Sequence, residues 1–146
     1  MTPEQLAATH ARAFDRGDRG WSSAEFATLL DCPGALVVGE DRAFALGRVI
    51  ADEAELLTLA TDPAARRQGL ARAVLAAFEA QARARGATRA FLEVAADNAA
   101  ARALYALAEW DIIARRSAYY ARSPEPAVDA LVLTKSLGAE LHAPAP

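Results

Sequence analysis

The stretch from Glu55 to Gly86 constrains the fold more than any other. Glu55-Leu-Leu-Thr-Leu-Ala-Thr61 is apolar and long enough for a central strand, and Asp62-Pro63 ends it. From Gln68 to Arg85 the apolar positions Leu70, Val74, Leu75 and Phe78 recur at helical spacing, and Gly86 closes the segment as a C-cap. A strand buried on both faces and followed at once by an amphipathic helix has to be covered from two sides, which asks for a layered packing.

The flanking segments extend that plan. Leu6, Ala7, His10, Ala13 and Phe14 lie at helical spacing over residues 4–15, and Asp15-Arg-Gly-Asp-Arg-Gly20 is a polar, glycine-broken loop. Ser22-Ser-Ala-Glu25 has the form of a capping box, opening a short helix through Leu30 that Cys32-Pro-Gly34 stops. Ala35 to Val38 and Ala43 to Ile50 flank Gly39-Glu-Asp-Arg42 as a hairpin. Thr88 to Ala95 is a further strand, Asp97 or Asn98 starts a helix to about Leu107, and Asp111–Ala114, leading into Tyr119-Tyr120, and Val128–Thr134 complete the pattern. The order helix, helix, then β-β-β-α-β-α-β-β predicts an α/β (α+β) fold. It has a single mixed sheet of six or seven strands, with helices on both faces. Residues 1–140 are expected to form one domain, with 141–146 as a loose tail.

Composition narrows the functional classes. At 146 residues with 53% apolar and 24% charged side chains, the chain can build a core without disulfides or metal. No apolar run approaches the roughly 18 residues of a membrane span, and Met1-Thr-Pro-Glu-Gln lacks the pattern of a signal peptide. Cys32 is the only cysteine, and His10 and His142 stand at opposite ends, so neither a disulfide nor a metal centre is expected. We expect a reduced, cytoplasmic protein without a membrane or nucleic-acid partner, acting as a monomer or weak homodimer. Residues 1–63 carry net −6 and residues 64–146 net +3, which suits an anionic ligand in the second half and a basic one near the first. Lys135 is the only lysine against 15 arginines.

Arg66-Arg67-Gln68-Gly69-Leu70-Ala71 carries the chemistry. It joins the strong strand to the strong helix, where first-turn N–H groups lack partners and the helix dipole is positive. Gly69 lets backbone approach a bulky anion, Ala71 keeps the next turn small, and Arg66, Arg67 and Arg72 add positive charge. The segment reads as a pyrophosphate cradle or as a plain strand–helix connection with a basic surface. Glu93 lies between Leu92 and Val94, which point to the opposite face of their strand. Burial there favours the protonated form and makes the carboxylate a usable proton acceptor near neutral pH; the other reading is a glutamate paired with an arginine. Asn98 and Tyr105 fall on one face of a helix, two turns apart, either as functional groups or as an N-cap and a core aromatic.

Taken together, Glu55–Thr134 resembles the Gcn5-related N-acetyltransferase superfamily. The matching residues are Leu56–Pro63, the Arg66-x-x-Gly69-x-Ala71 signature, Leu92-Glu-Val94, Asn98–Tyr105 and Arg115-Arg-Ser-Ala-Tyr-Tyr120. The last three are similar to its RimI-type branch of ribosomal-protein alanine N-acetyltransferases, as are Ala13-Phe14, Trp21-Ser22 and Phe26. The resemblance implies acetyl-CoA as cosubstrate, bound by backbone groups of Leu59, Ala60 and Thr61 and by Arg66, Arg67, Gln68, Gly69, Leu70, Ala71 and Arg72. Asn98 would contact its reactive end, with Glu93 as general base and Tyr105 as general acid. Two departures stand out: Glu109 occupies a usual glycine position before Trp110, and Asp15–Gly20 lengthens the link between the first two helices.

This assignment fits direct attack by an N-terminal α-amine. Such an amine has a pKa of about 8 and must lose a proton first, and a phenol near pKa 10 suits a departing thiolate. Cys32 as a covalent nucleophile is the competing mechanism, without a histidine near it in sequence. The expected acceptor is the N-terminal alanine of a ribosomal protein. The alternatives are a small-molecule amine, or a non-catalytic acyl-CoA-binding domain.

Overall fold

The computed structural model describes residues 1–14, 21–66, 68–121 and 125–138. The 15–20 loop, Arg67 and the 141–146 tail read from the sequence lie outside the described residues. The elements run α1 (Pro3–Ala13), α2 (Ser23–Leu30), β1 (Ala35–Glu40), β2 (Ala43–Ile50), β3 (Glu53–Thr61), a 3-10 turn (Pro63–Ala65), α3 (Leu70–Ala84), β4 (Arg89–Ala95), α4 (Ala99–Leu107), β5 (Asp111–Tyr120) and β6 (Val128–Ser136). The predicted order is therefore found, and the sheet has six strands in the order β1-β2-β3-β4-β6-β5. All neighbours are antiparallel except β3 and β4, whose connection through α3 brings the chain back in the same direction.

Local signals explain most boundaries. Ser22 and Glu25 form the expected capping box, and Thr2 and Gln5 form a second one at the start of α1. The β1–β2 turn is tighter than expected. Gly39 and Glu40 remain in the ladder, opposite Phe44 and Ala43, which leaves only Asp41-Arg42 as the connection. The first apolar segment after α4, Asp111–Ala114, runs on through Tyr119-Tyr120 as one continuous β5, and the second, Val128–Thr134, is β6. Glu109 adopts φ +70°, so the left-handed turn before Trp110 is kept without the glycine that would adopt it freely.

β2 shows how the layers close. Phe44 and Leu46 pack with Leu6 of α1 and Phe26 of α2 on one face, while Ala43 and Ala45 join the cluster around Val74, Leu75 and Phe78 of α3 on the other. Gly47 admits the Phe78 ring: a Cβ there would stand 2.6 Å from it and 2.2 Å from the Glu55 carbonyl oxygen.

β3 changes faces along its length. Leu46 pairs with Thr58 but Gly47 pairs with Leu56, so Leu57 is an extra residue, a β-bulge. Before it, Ala54 and Leu56 pack into the α3-side cluster; after it, Ala60 joins the α1–α2 cluster and Leu59 the α3 side.

The only lysine has a structural post. Lys135 Nζ donates to Glu79 Oε1 (2.7 Å) and to the Ala108 carbonyl (2.7 Å), and Trp110 Nε1 donates to Glu79 Oε2 (3.0 Å). The Glu79 side chain is only 7% exposed, so this group ties α3, the turn between α4 and β5, and β6 around a buried carboxylate. Removing one partner of such a pair leaves an uncompensated charge. Lys135→Met is expected to cost about 3 kcal/mol or more in urea unfolding.

Candidate active site

β3 and β4 pair over only three positions, Glu53–Glu55 against Arg89–Phe91, and then part. Each is held on its far side, β3 by β2 and β4 by β6 as far as Ala95, so the sheet opens along one line. Two cavities occupy the opening. The larger, about 850 Å³, is lined on one side by Leu59 and Thr61 and on the other by Gly69, Leu70, Ala71 and Arg72. The smaller, about 430 Å³, lies between Leu56–Leu59 of β3 and Leu92–Ala95 of β4, closed by His10, Trp21 and Tyr120. Phe14, Leu59, Asn98, Ala101 and Tyr105 line both, so the cavities meet at these five residues.

The larger cavity suits a phosphate-bearing group. Gly69 is the N-cap of α3 at φ +74°, offers no side-chain cap, and has nothing within 4 Å of where a Cβ would stand. The Ala73 N–H bonds the Gly69 carbonyl (3.0 Å), so the amides just before it are the first-turn donors that a helix leaves free for an anion. Arg66 and Arg72 border the same cavity, with the Arg66 guanidinium on the Ala13 carbonyl (3.1 Å). Asp62 caps the preceding 3-10 turn; the Ala64 N–H and then the Arg12 guanidinium hold its carboxyl below the ordinary value. Gln68 is exposed outside the lining, and Ala60 turns its methyl into the α1–α2 cluster, leaving only its backbone on this strand.

The remaining candidates converge on the smaller cavity. Glu93 lines it and faces away from the buried Leu92 and Val94, as the alternation predicts. Its carboxylate is not buried, contrary to the reading in which burial prepares it: the side chain is 30% exposed and forms an ion pair with Arg116 (Nε–Oε2 2.8 Å). β4 points this residue into the opening of the sheet, which solvent reaches, and not into the core. Asn98 caps α4 by accepting from the Ala101 N–H (3.1 Å) while standing at the junction. Tyr105, also at the junction, is buried, and burial pushes its phenol up to about 12. Cys32 lies beyond α2, with its thiol on the Thr28 carbonyl (3.4 Å), and lines neither cavity. Among the described residues no group of three His, Cys, Asp or Glu is placed to hold a metal.

Residues 6–108 match the acetyltransferase (GNAT) family. The chain belongs to that family. The GNAT relatives include the [ribosomal protein bS18]-alanine N-acetyltransferase of Escherichia coli K12, 43% identical over 82 residues, 56% of this chain and 55% of that protein. The chain thus spans about half the length of that relative. The crystal structure of the ribosomal-protein-S18-alanine N-acetyltransferase from Escherichia coli superposes with a TM-score of 0.82 at 31% identity, covering 92% of this chain and 87% of that one. Arabidopsis thaliana NAA60, solved in complex with acetyl-CoA, shares the fold (TM-score 0.76, 16% identity, 92% of each chain).

The sequence reading did not single out His10, Trp21 or Arg116 as site residues. His10 carried a signal, as the one titratable side chain in the apolar stripe of α1. Trp21 and Arg116 reach the site through tertiary contacts that periodicity does not record.

Two outcomes follow. Gly69→Val puts a β-branched residue at φ +74° with its side chain toward the cavity, and is expected to weaken coenzyme A binding by at least about tenfold in calorimetry. Tyr105 titrates higher in the folded chain than an unfolded tyrosine does. The stability this adds is therefore complete below about pH 10 and is lost as pH rises toward about 12, and Tyr105→Phe is expected to flatten that alkaline fall in urea melts.

Proposed function

We propose that this chain is an acetyl-CoA-dependent N-acetyltransferase acting on a protein N-terminal α-amine, the alanine of a ribosomal protein, in the cytoplasm. The observation that carries the reading is the junction. A cavity with an anion-binding helix N-terminus meets a second cavity that holds a carboxylate, and a protonated phenol stands where they join. The relationship to bS18-alanine N-acetyltransferases supports the choice of acceptor.

Bound acetyl-CoA would supply an activated acetyl thioester. Backbone groups of Leu59, Ala60 and Thr61, the first turn at Gly69–Arg72, Arg66 and Arg67, with Gln68 beside them, would hold its arm and pyrophosphate, and Asn98 would face its reactive end. On the acceptor side, Glu93 takes the proton that an α-ammonium must lose before its nitrogen can attack. Arg116 stays beside that carboxylate and keeps it oriented toward the cavity wall. Tyr105 Oη keeps its proton across the working pH range, because burial holds it against ionisation, and can pass it to a departing sulfur.

Mass spectrometry of acetyl transfer to two basic peptides tests the acceptor. One has a free N-terminal alanine; the other is N-terminally blocked and carries an internal lysine. Modification of the first alone is the expected result, whereas acetyl-CoA binding with neither peptide modified would move the acceptor to small amines. Glu93→Gln is expected to lower kcat on the first peptide by about 10²–10⁴-fold with coenzyme A affinity unchanged. Near-normal turnover would remove Glu93 from the base role.

A further inference from the structure

His10 is a buried titratable side chain at the cavities for which the reaction above has no use. It is 3% exposed, in the apolar stripe of α1 that also presents Leu6 and Phe14. Its Nδ1 accepts the Trp21 N–H at 3.2 Å and therefore carries no proton. Nε2 then bears the proton of a neutral ring and donates to Thr58 Oγ1 at 3.1 Å. The ring stacks on Trp21 (centroids 4.9 Å apart, planes at 22°) and packs on Phe14 at 4.5 Å. His10, Phe14, Trp21 and Thr58 all line the smaller cavity.

Phe14 and Trp21 are the two ends of the lengthened 15–20 link, and both are bonded to His10. The Phe14 N–H reaches the His10 carbonyl (3.0 Å) and the Trp21 N–H reaches the imidazole. A side chain that bonds Trp21 and the sheet together specifies where Trp21 sits against β3. Thr58 is available for this because the bulge at Leu57 turns it away from α3, toward α1.

We propose that His10 is a positioning residue for the acceptor: its neutral, Nε2-protonated imidazole fixes Trp21, and with it the α1 wall of the smaller cavity, against β3. This rests on reading that cavity as the acceptor site.

The test compares two variants on the free-alanine peptide. His10→Phe keeps a ring for stacking but offers the Trp21 N–H no acceptor, while His10→Asn restores an acceptor oxygen near the place of Nδ1. His10→Phe is expected to raise the peptide KM by about tenfold, with kcat and coenzyme A affinity within about twofold, and His10→Asn to return KM to within about threefold of wild type. An unchanged KM in His10→Phe overturns the proposal. So does a parallel loss of kcat, coenzyme A affinity and thermal stability in both variants, which would mark a general packing role. Independently of any variant's folding, the imidazole nitrogen NMR spectrum of the wild-type protein is expected to show His10 neutral with the proton on Nε2. A proton on Nδ1 overturns the proposal. A wild-type protein that binds coenzyme A but acetylates no peptide instead overturns the acceptor reading on which the proposal stands, an outcome distinct from turnover that is indifferent to His10.

Discussion

The arrangement depends on how little β3 and β4 share. Three paired positions hold the parallel strands together at one end; beyond them each keeps a full antiparallel partner on its outer side and none on its inner one. Buried backbone N–H and C=O groups without partners are costly, so a gap of this kind persists only where water or a ligand enters it. The opening is also where the sheet's chemistry is exposed. α3 begins at its rim, because the chain must leave β3 and cross to β4 there, and that crossover leaves the amide-rich first turn facing the gap. A ligand lying between the strands with amides of its own would meet the inner edge of β3 as a further strand does. The larger cavity, the smaller one and the junction at Tyr105 are therefore consequences of one split in one sheet.

The bulge at Leu57 decides which side chains face which part of that split. With unbroken alternation through Leu57, Thr58 would turn toward α3, and Leu59 and Thr61 would face α1 and α2. With the bulge, Leu59 and Thr61 line the larger cavity and Thr58 reaches His10. The sequence conceals this. Leu56-Leu-Thr-Leu-Ala is apolar on both faces, since both are covered, and a run without alternation carries no record of parity. The strand was legible; its change of face was not.

Other elements divide in the same way, according to whether their cause is local. Caps are local, so Ser22 with Glu25, Asn98 before α4 and Gly86 after α3 could be read from neighbouring residues, and the Thr2–Gln5 box was equally readable. The start of α3 was legible because Gly69 stands between the apolar strand and the first periodic residue of the helix, where it becomes the N-cap. Glu93 was half legible. Alternation placed it opposite Leu92 and Val94, but whether that face meets the core or an opening depends on where β3 parts from β4, which β4 itself does not encode. Lys135 carried a faint sign as the only lysine, yet its pairing with Glu79 joins positions far apart in the chain.

The two consecutive arginines of β5 show how the edge of the sheet serves the site. Alternation sends Arg115 and Arg116 to opposite faces. Arg115 bonds Asp129 of the neighbouring β6, and the same carboxylate accepts the Ala118 N–H (2.8 Å). The Ala118 N–H and then the Arg115 guanidinium hold the Asp129 carboxyl below its ordinary value. Asp129 thus pins β5 where its register to β6 slips between Arg116 and Tyr120 and Ala118 takes φ +51°. Arg116 lies opposite Ala130 of β6, whose small side chain lets the guanidinium pass over that strand to Glu93 on β4. Two strand spacings are about 10 Å, a span that suits the long arginine stem and its forked head. The Arg116 guanidinium also lies over the half-exposed Tyr119 ring, 5.4 Å away, and Arg116 itself is 57% exposed. A pair so open to solvent is worth about 0–1 kcal/mol. Glu93 is therefore oriented by a partner that it can release at little cost, which is what the base role proposed for it requires of a carboxylate in the free protein.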